Sequence, residues 1–527
     1  MDLLRLVSRL PEWSAQHLRF FEKGRLVTKS FPEIHDDVKA AADRLRSWGV
    51  KAGMRVGILA SNCYPWIVYD LALIELRAVS VAFTDDFAST SLDELRTRYS
   101  LGLILISKKE DKNPVGPRSC VAYLDAENPP DVRAAEAAGE TADADAEMQA
   151  LIFSSGTSGR VKGLIVGREG VQSTITAFAR RLDFRHGDCL LIFLPLSNFQ
   201  QRLMYYAAFW SGFDVILTDP ARLFRALKEL RPTLFVGPPI VYETVETRIL
   251  NLPPWKRTAL LAAGGLLSRI PSPDLRRRLA RTLFHDVHEA FGGRMRFMLT
   301  GMAPTKRSTL ELFARMDLPL FEGYGLNECG PIAFNVPGMN RLGSVGRPVD
   351  GAAITIADDG EIIVQKEHPQ CIGYFESPPG EAESTFLGDN RIATGDMGRF
   401  DEDGFLYLLG RKKEIIVTPG GMKVHPEVFE SEINASSDVA SSVIFGGGNL
   451  PHLVAVVSLR QPAAPSARER IEQFIDEVNK RHPASVRVER IVFTDVAFTR
   501  ENGLLRPNLK LDRKRIGERC LEEIQGN

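Results

Sequence analysis

Residues 151–163 run Leu151-Ile152-Phe153-Ser154-Ser155-Gly156-Thr157-Ser158-Gly159-Arg160-Val161-Lys162-Gly163, an apolar run passing into a Gly/Ser-rich loop that carries a lysine. The first three residues form a short apolar run of the kind a buried strand uses. The glycines after them permit a tight turn and expose backbone N–H groups. Three serines and a threonine add hydroxyl donors, and Lys162 adds a positive charge. These are the parts needed to hold a polyphosphate at the end of a strand. The order is not that of a Walker A loop, because no Gly-Lys-Ser/Thr closes it and Lys162 is followed by Gly163. Composition alone would favour a Ser/Gly-rich surface loop, so the order of the residues carries the distinction.

Outward from this loop, short apolar runs alternate with longer helical patterns, which predicts an α/β fold. Residues 55–60 read as a buried strand. Residues 65–76 behind it carry Trp66, Val68, Leu71 and Ile74 at helical spacing. A second unit runs from a helix over 92–99 into the apolar run 101–106. Residues 126–146 turn Ala-, Asp- and Glu-rich, carry Pro129-Pro130, and read as a surface connection. Further on, 404–410 reads as a turn and a strand before Arg411-Lys412-Lys413-Glu414 breaks the apolar pattern. Beyond lie strand-like 442–445 and 453–459, a helix over 467–480 and strand-like 486–493, a small mixed unit able to bury its own face. The expected division is a large N-terminal lobe of several α/β subdomains, 1–410, and a small C-terminal α+β domain, 411–527. No internal repeat is visible.

Global properties exclude more than they identify. The chain has 527 residues, too many for one hydrophobic core. Its hydrophobic fraction of 44% and charged fraction of 25% are those of an ordinary globular protein. A formal net charge of -1 gives no global pull toward nucleic acid or an anionic membrane. Six scattered cysteines show neither metal-ligand nor disulfide spacing, so a reducing cytoplasm is expected. The N-terminus mixes charge into its apolar residues, and no apolar run approaches bilayer-spanning length, so neither a signal peptide nor an integral membrane segment is expected.

The order of residues 154–163 resembles the Ser/Thr-Ser-Gly-Thr-Thr-Gly-x-Pro-Lys-Gly signature of the adenylate-forming superfamily, with Val161 in place of the usual proline. That superfamily holds acyl-CoA synthetases, luciferases and the adenylation domains of peptide synthetases. Further segments occur in the family's order, so the resemblance covers nearly the whole chain. Leu194-Pro195-Leu196-Ser197-Asn198-Phe199-Gln200-Gln201-Arg202 resembles the acyl segment of long-chain acyl-CoA synthetases, with Asn198 where a histidine usually stands. Thr300-Gly301-Met302-Ala303-Pro304 is similar to the turn lining the adenine pocket. Gly323-Tyr324-Gly325-Leu326-Asn327-Glu328 resembles Tyr-Gly-x-Thr-Glu, with Asn327 replacing threonine. Thr394-Gly395-Asp396 matches the family's Thr-Gly-Asp, and Glu501 to Leu511 resembles the end of long-chain acyl-CoA synthetases.

The resemblance implies a role for each matched residue. Ser154, Ser155, Gly156, Thr157, Ser158, Gly159 and Lys162 would hold the phosphates of ATP. Ala303, Pro304, Gly323, Tyr324, Gly325 and Asn327 would line the nucleotide site, Tyr324 offering a flat ring to adenine and the glycines a close backbone approach. Glu328 would supply a hard oxygen to the Mg²⁺ accompanying ATP. Asp396 would accept from the ribose hydroxyls and Arg411 would assist at the ribose and α-phosphate. Asn198, Phe199 and Gly301 would border the acyl pocket. Lys413 would be a hinge, Gly420, Gly421 and Lys423 a loop entering for a thiol step, and Lys510 the catalytic lysine of a mobile C-terminal domain.

The activity so implied is activation of a small-molecule carboxylic acid by ATP to an acyl-adenylate, then transfer to a thiol. CoA is the expected acceptor, because no carrier domain follows Lys510 and the stretch 343–396 has ordinary length. Two alternatives stay open: transfer to a separate carrier protein or an amine, and a catalytically weak nucleotide- or acyl-binding homologue, suggested by Asn198 and Asn327. The acid itself is not readable, since pocket walls vary on a constant scaffold.

Overall fold

In a computed structural model, residues 1–107, 120–124, 147–155, 161–448, 450–460, 465–483, 486–499, 501–505 and 511–525 are described. The expected connection 126–146 lies outside them. The architecture is mixed α/β, as the sequence predicts. Among the described residues a seven-stranded sheet has the order Cys371–Phe375, Val161–Gly167, Met148–Ser155, Val79–Ala82, Arg55–Leu59, Leu101–Ile106, Val121–Tyr123. The strands from Met148–Ser155 onward run parallel, and Val161–Gly167 and Cys371–Phe375 add an antiparallel edge.

Leu101–Ile106 shows why such strands read as continuous apolar runs. Leu103 and Leu105 enter one core while Leu101, Ile104 and Ile106 enter another on the opposite face, as expected of a strand covered on both sides. The first of these cores also takes in Leu190, Ile192, Val215, Leu217 and Phe297 of a second, nine-stranded sheet. Helices Phe31–Ser47, Tyr64–Glu75, Arg168–Leu182 and Phe199–Ser211 contribute to the same core and so fill the space between the sheets. The other face of the nine-stranded sheet is covered by Leu223–Leu230, Pro239–Leu250 and their neighbours. Among the described residues no helix is long and apolar enough to cross a membrane.

A four-stranded antiparallel sheet, ordered Ala352–Ile356, Glu361–Lys366, Arg391–Phe400, Leu406–Arg411, comes next. After it, Val439–Gly447, Leu450–Leu459 and Val488–Thr494 form a small sheet. Among the described residues its core, with Phe429, Ile433, Ile471 and Ile475, contains none before Ile416. Polar contacts join this unit to the rest: Lys306 Nζ donates to Ala440 O at 3.1 Å and Arg460 to Thr247 Oγ1 at 3.0 Å.

Candidate active site

Three segments distant in sequence meet where the two large sheets and the four-stranded sheet come together. The first is the hairpin of Met148–Ser155 and Val161–Gly167, whose register sets Ser154 opposite Lys162 and Ser155 opposite Val161. The phosphate-loop residues Gly156, Thr157, Ser158 and Gly159 lie outside the described residues, but the strands delivering and receiving them are fixed by this pairing. The Lys162 ammonium pairs with the Glu381 carboxylate and stands 5.2 Å from the centre of the Tyr374 ring.

The second segment is the hairpin of Leu320–Leu326 and Gly330–Phe334, with Asn327 and Glu328 in its turn. A bulge between Tyr324 and Gly325 shifts the register here. The glycines serve close approach, because a Cβ on Gly325 would lie 2.7 Å from Gly330 O and one on Gly323 2.6 Å from the Phe334 ring. Gly301 is equally confined: its Cβ would meet Gly323 O at 2.9 Å. The turn carrying Gly301, left-handed Met302 (φ 69°), half-buried Ala303 and exposed Pro304 is thereby pressed onto the Gly323–Tyr324 backbone.

At the hairpin tip, Glu328 O accepts from Cys371 N at 2.8 Å, and Asn327 O accepts from Gln370 Nε2 at 3.0 Å. The tip is thus tied to Cys371–Phe375, the strand beside Val161–Gly167, with Tyr374 opposite Leu164. The Tyr374 hydroxyl donates to Glu328 Oε1 at 3.0 Å. Lys162, Tyr374 and Glu328 form one polar group, and burial with the adjacent carboxylate raises the Tyr374 phenol well above its ordinary pKa. A half-buried carboxylate held by one hydroxyl beside a lysine suits Mg²⁺ arriving with a polyphosphate, an ion usually bound by one or two carboxylates plus phosphate oxygens and water.

The third segment is the antiparallel pair Arg391–Phe400 and Leu406–Arg411, in which Asp396 and Arg411 stand opposite each other. Arg411 Nε lies 2.7 Å from Asp396 Oδ1, and the Tyr324 hydroxyl donates to Asp396 Oδ2 at 2.5 Å. Asp396 and Tyr324 are 6% and 7% exposed. Burial, with the Asp396 charge second, holds the Tyr324 phenol well above its ordinary pKa. These two bonds orient the Asp396 carboxylate, an acceptor-only group of the kind that vicinal hydroxyls donate to.

Other predicted residues lie elsewhere. Asn198 caps helix Phe199–Ser211, its Oδ1 accepting from Gln200 N at 3.2 Å. Phe199 is buried in the central core beneath the Arg202 guanidinium, 4.7 Å from its ring centre. Lys413 is exposed in the turn Lys412–Glu414. Gly420 and Gly421 are exposed between Ile416–Val417 and Lys423–Val424, where Lys423 pairs with Val417. Lys510 lies outside the described residues.

Sequence reading missed Tyr374, Glu381 and Glu322. Glu322, one residue before Gly323, is pushed up to about 8 by burial. It also missed Arg202, wholly buried and paired with Asp70, which accepts from Tyr205 and Tyr206 as well. A polar residue inside an apolar helix such as Phe199–Ser211 was the one available signal.

The chain belongs to the AMP-binding enzyme family: residues 9–373 match the AMP-binding enzyme domain, and 413–518 match the AMP-binding enzyme C-terminal domain. This is the adenylate-forming superfamily, and within it the likeness is to long-chain acyl-CoA synthetases. Long-chain-fatty-acid–CoA ligase FadD15 of Mycobacterium bovis is 29% identical over 561 residues, covering 94% of this chain and 91% of that protein. The fold matches the anthranilate CoA ligase AuaEII in complex with anthranoyl-AMP with a TM-score of 0.75 at 17% identity, over 98% of this chain and 97% of that one. It matches the amide bond synthetase McbA from Marinactinospora thermotolerans with a TM-score of 0.74 at 18% identity, over 98% and 99%.

Proposed function

We propose that this chain activates a carboxylic acid with ATP and transfers the acyl group to CoA. The observation carrying the reading is that Asp396, Arg411 and Tyr324, which would clamp the ribose hydroxyls, and Lys162, Glu328 and Tyr374, which would meet the phosphates and their Mg²⁺, are held on one hairpin and its two neighbours. In the first step a carboxylate oxygen of the acid attacks the α-phosphorus and the bond to the β-phosphate oxygen breaks, releasing pyrophosphate and leaving acyl-AMP. In-line displacement at phosphorus depends on positioning and charge neutralisation. Asp396 would orient the ribose, Lys162 would exchange Glu381 for phosphate oxygens, and Glu328 would hold Mg²⁺, which when bound offsets phosphate charge. In the second step the CoA sulfur attacks the acyl carbonyl carbon, the C–O bond to AMP breaks, and the thiol proton passes to solvent.

The proposal includes a division of labour between 1–410 and 411–527. Lys510 would serve adenylation, a rotation at Lys413 would withdraw it, and the loop 420–423 would serve the thiol step. That rotation would have to break the Lys306–Ala440 and Arg460–Thr247 bonds.

Acid-dependent exchange of labelled pyrophosphate into ATP tests the first step, and thioester formation with free CoA tests the second. Exchange without thioester would point to a carrier protein or amine as acceptor. No exchange with any member of a broad acid panel would leave a binding homologue. The FadD15 likeness makes fatty acids the first acids to screen, with aryl acids beside them.

A further inference from the structure

Helices Pro254–Leu267 and Pro273–Leu283 present apolar residues to the outside of the nine-stranded sheet's lobe. Among the large hydrophobic side chains exposed in the described residues, Trp255 (74%), Leu266 (64%), Leu275 (50%), Leu279 (42%) and Leu283 (40%) fall on these two helices. Trp255, Ala259, Ala262 and Leu266 recur at four-, three- and four-residue steps and are all exposed, so they form one outward stripe. Leu275, Leu279 and Leu283 form a second at successive four-residue steps. The inward sides are accounted for: Leu267, Ala280 and Phe284 share a core, and a Cβ on Gly264 would stand 3.3 Å from the Phe284 ring. The outward stripes are therefore surplus to the packing of this lobe.

The charge around them is one-sided. Residues 254–283 hold seven Lys/Arg against a single acidic residue, Asp274, in a chain otherwise balanced at 66 to 67. Arg276 and Arg277 pair with Asp317, and Arg257 donates to Leu250 O. Lys256, Arg269, Arg278 and Arg281 have no acidic partner among the described residues. Leucine stripes with an exposed tryptophan and unpaired basic residues beside them are the composition of a helix pair lying in a lipid headgroup layer.

We infer that this helix pair docks the protein on an anionic phospholipid bilayer, Trp255 and the leucines entering the interface and the basic side chains meeting the headgroups. A nucleic acid would satisfy the charge but offer no apolar phase for Leu275, Leu279 and Leu283. A second copy of this chain would bring the same positive charge to the contact.

Co-sedimentation of the full chain with phosphatidylcholine vesicles, with and without about one-third phosphatidylglycerol, tests the inference. Binding is expected only to the anionic vesicles and should weaken as salt is raised. L275S/L279S/L283S and R278E/R281E should each lower vesicle partitioning about tenfold or more. All five positions are on the surface, so pyrophosphate exchange with a short, soluble acid should be unchanged and reports an intact fold. Three results would overturn the inference: wild-type protein remaining in the supernatant, anionic binding indifferent to both sets of substitutions, or a concentration-dependent dimer abolished by L275S/L279S/L283S without vesicle binding.

Discussion

Replacing Asp396 by asparagine removes one negative charge while nearly preserving shape. In the present arrangement one carboxylate oxygen faces Arg411 Nε at 2.7 Å and the other accepts from the Tyr324 hydroxyl at 2.5 Å. Asparagine keeps one acceptor oxygen, and its NH₂ must face either the guanidinium or the Tyr324 hydroxyl, so one of the two oxygens can no longer accept from the ribose. A hydrogen bond to a charged group contributes about 1.5–3 kcal/mol, and about 1.36 kcal/mol is tenfold in rate. With one such bond to the ribose lost, kcat/KM for ATP should fall about 10- to 150-fold, while KM for the acid changes little. Asp396→Ala, which removes both acceptors, should fall further. Pyrophosphate exchange at varied ATP, with Tm recorded for each variant, makes the measurement. Unchanged kcat/KM for ATP in Asp396→Asn, at unchanged Tm, would refute the ribose clamp and show that this cluster serves only to join the two sheets.

Glu328→Gln should raise the Mg²⁺ concentration needed for half-maximal exchange, and an identical titration would remove Glu328 from the metal site. Lys510→Ala should slow adenylation about 10²–10³-fold, the scale of losing one preorganised electrostatic group, yet spare thioester formation from supplied acyl-AMP. Lys413→Pro, which fixes φ at the proposed hinge, should do the reverse, and equal loss of both steps in the Lys510 variant would end the two-conformation mechanism. Burial pushes the Glu322 carboxyl up to about 8 from its ordinary 4.5, so the folded state binds more protons between those values. Its contribution to stability should therefore fall as pH rises through that window. Glu322→Gln should flatten the decline of Tm between about pH 5 and 8, and parallel Tm curves for both proteins would show that Glu322 does not titrate there.

Much of the fold is legible in the sequence because burial on both faces leaves a plain trace. Leu101–Ile106 is apolar without interruption, so its bounds can be read to the residue, and 65–76 corresponds to Tyr64–Glu75. Residues whose meaning depends on cross-strand register leave none. Nothing local marks Tyr374 as the partner of Glu328, because only the antiparallel edge of the seven-stranded sheet brings them together. Arg202 finds its buried partner Asp70 132 residues away. Asn198 is a different case. An asparagine immediately before an apolar helix is an N-cap signal, but the histidine usual at this position in the family directs the reading to the acyl pocket instead. Its cap also governs how that position can be tested. Asn198→Leu would cost about 0.5–2 kcal/mol of stability, whereas Asn198→Asp keeps the cap and so tests the proposed acyl-pocket role separately from the fold.

Lys412 sits one residue before the proposed hinge, and its ammonium reaches Asp359 at 2.7 Å and Glu361 at 2.6 Å. Glu361 in turn accepts from Gly395 N at 2.9 Å, beside Asp396. The residues on either side of Lys413 are anchored differently: Lys412 is braced against the four-stranded sheet, while Glu414 is held by Arg513 at 2.9 Å, which leaves the proposed rotation to Lys413 between them. The Lys412 brace is ionic and half open to water, so dissolved salt loosens it. Under the rotation proposed at Lys413, ionic strength would tune the stiffness of the pivot, acting on the interval between the two half-reactions more than on either chemical step.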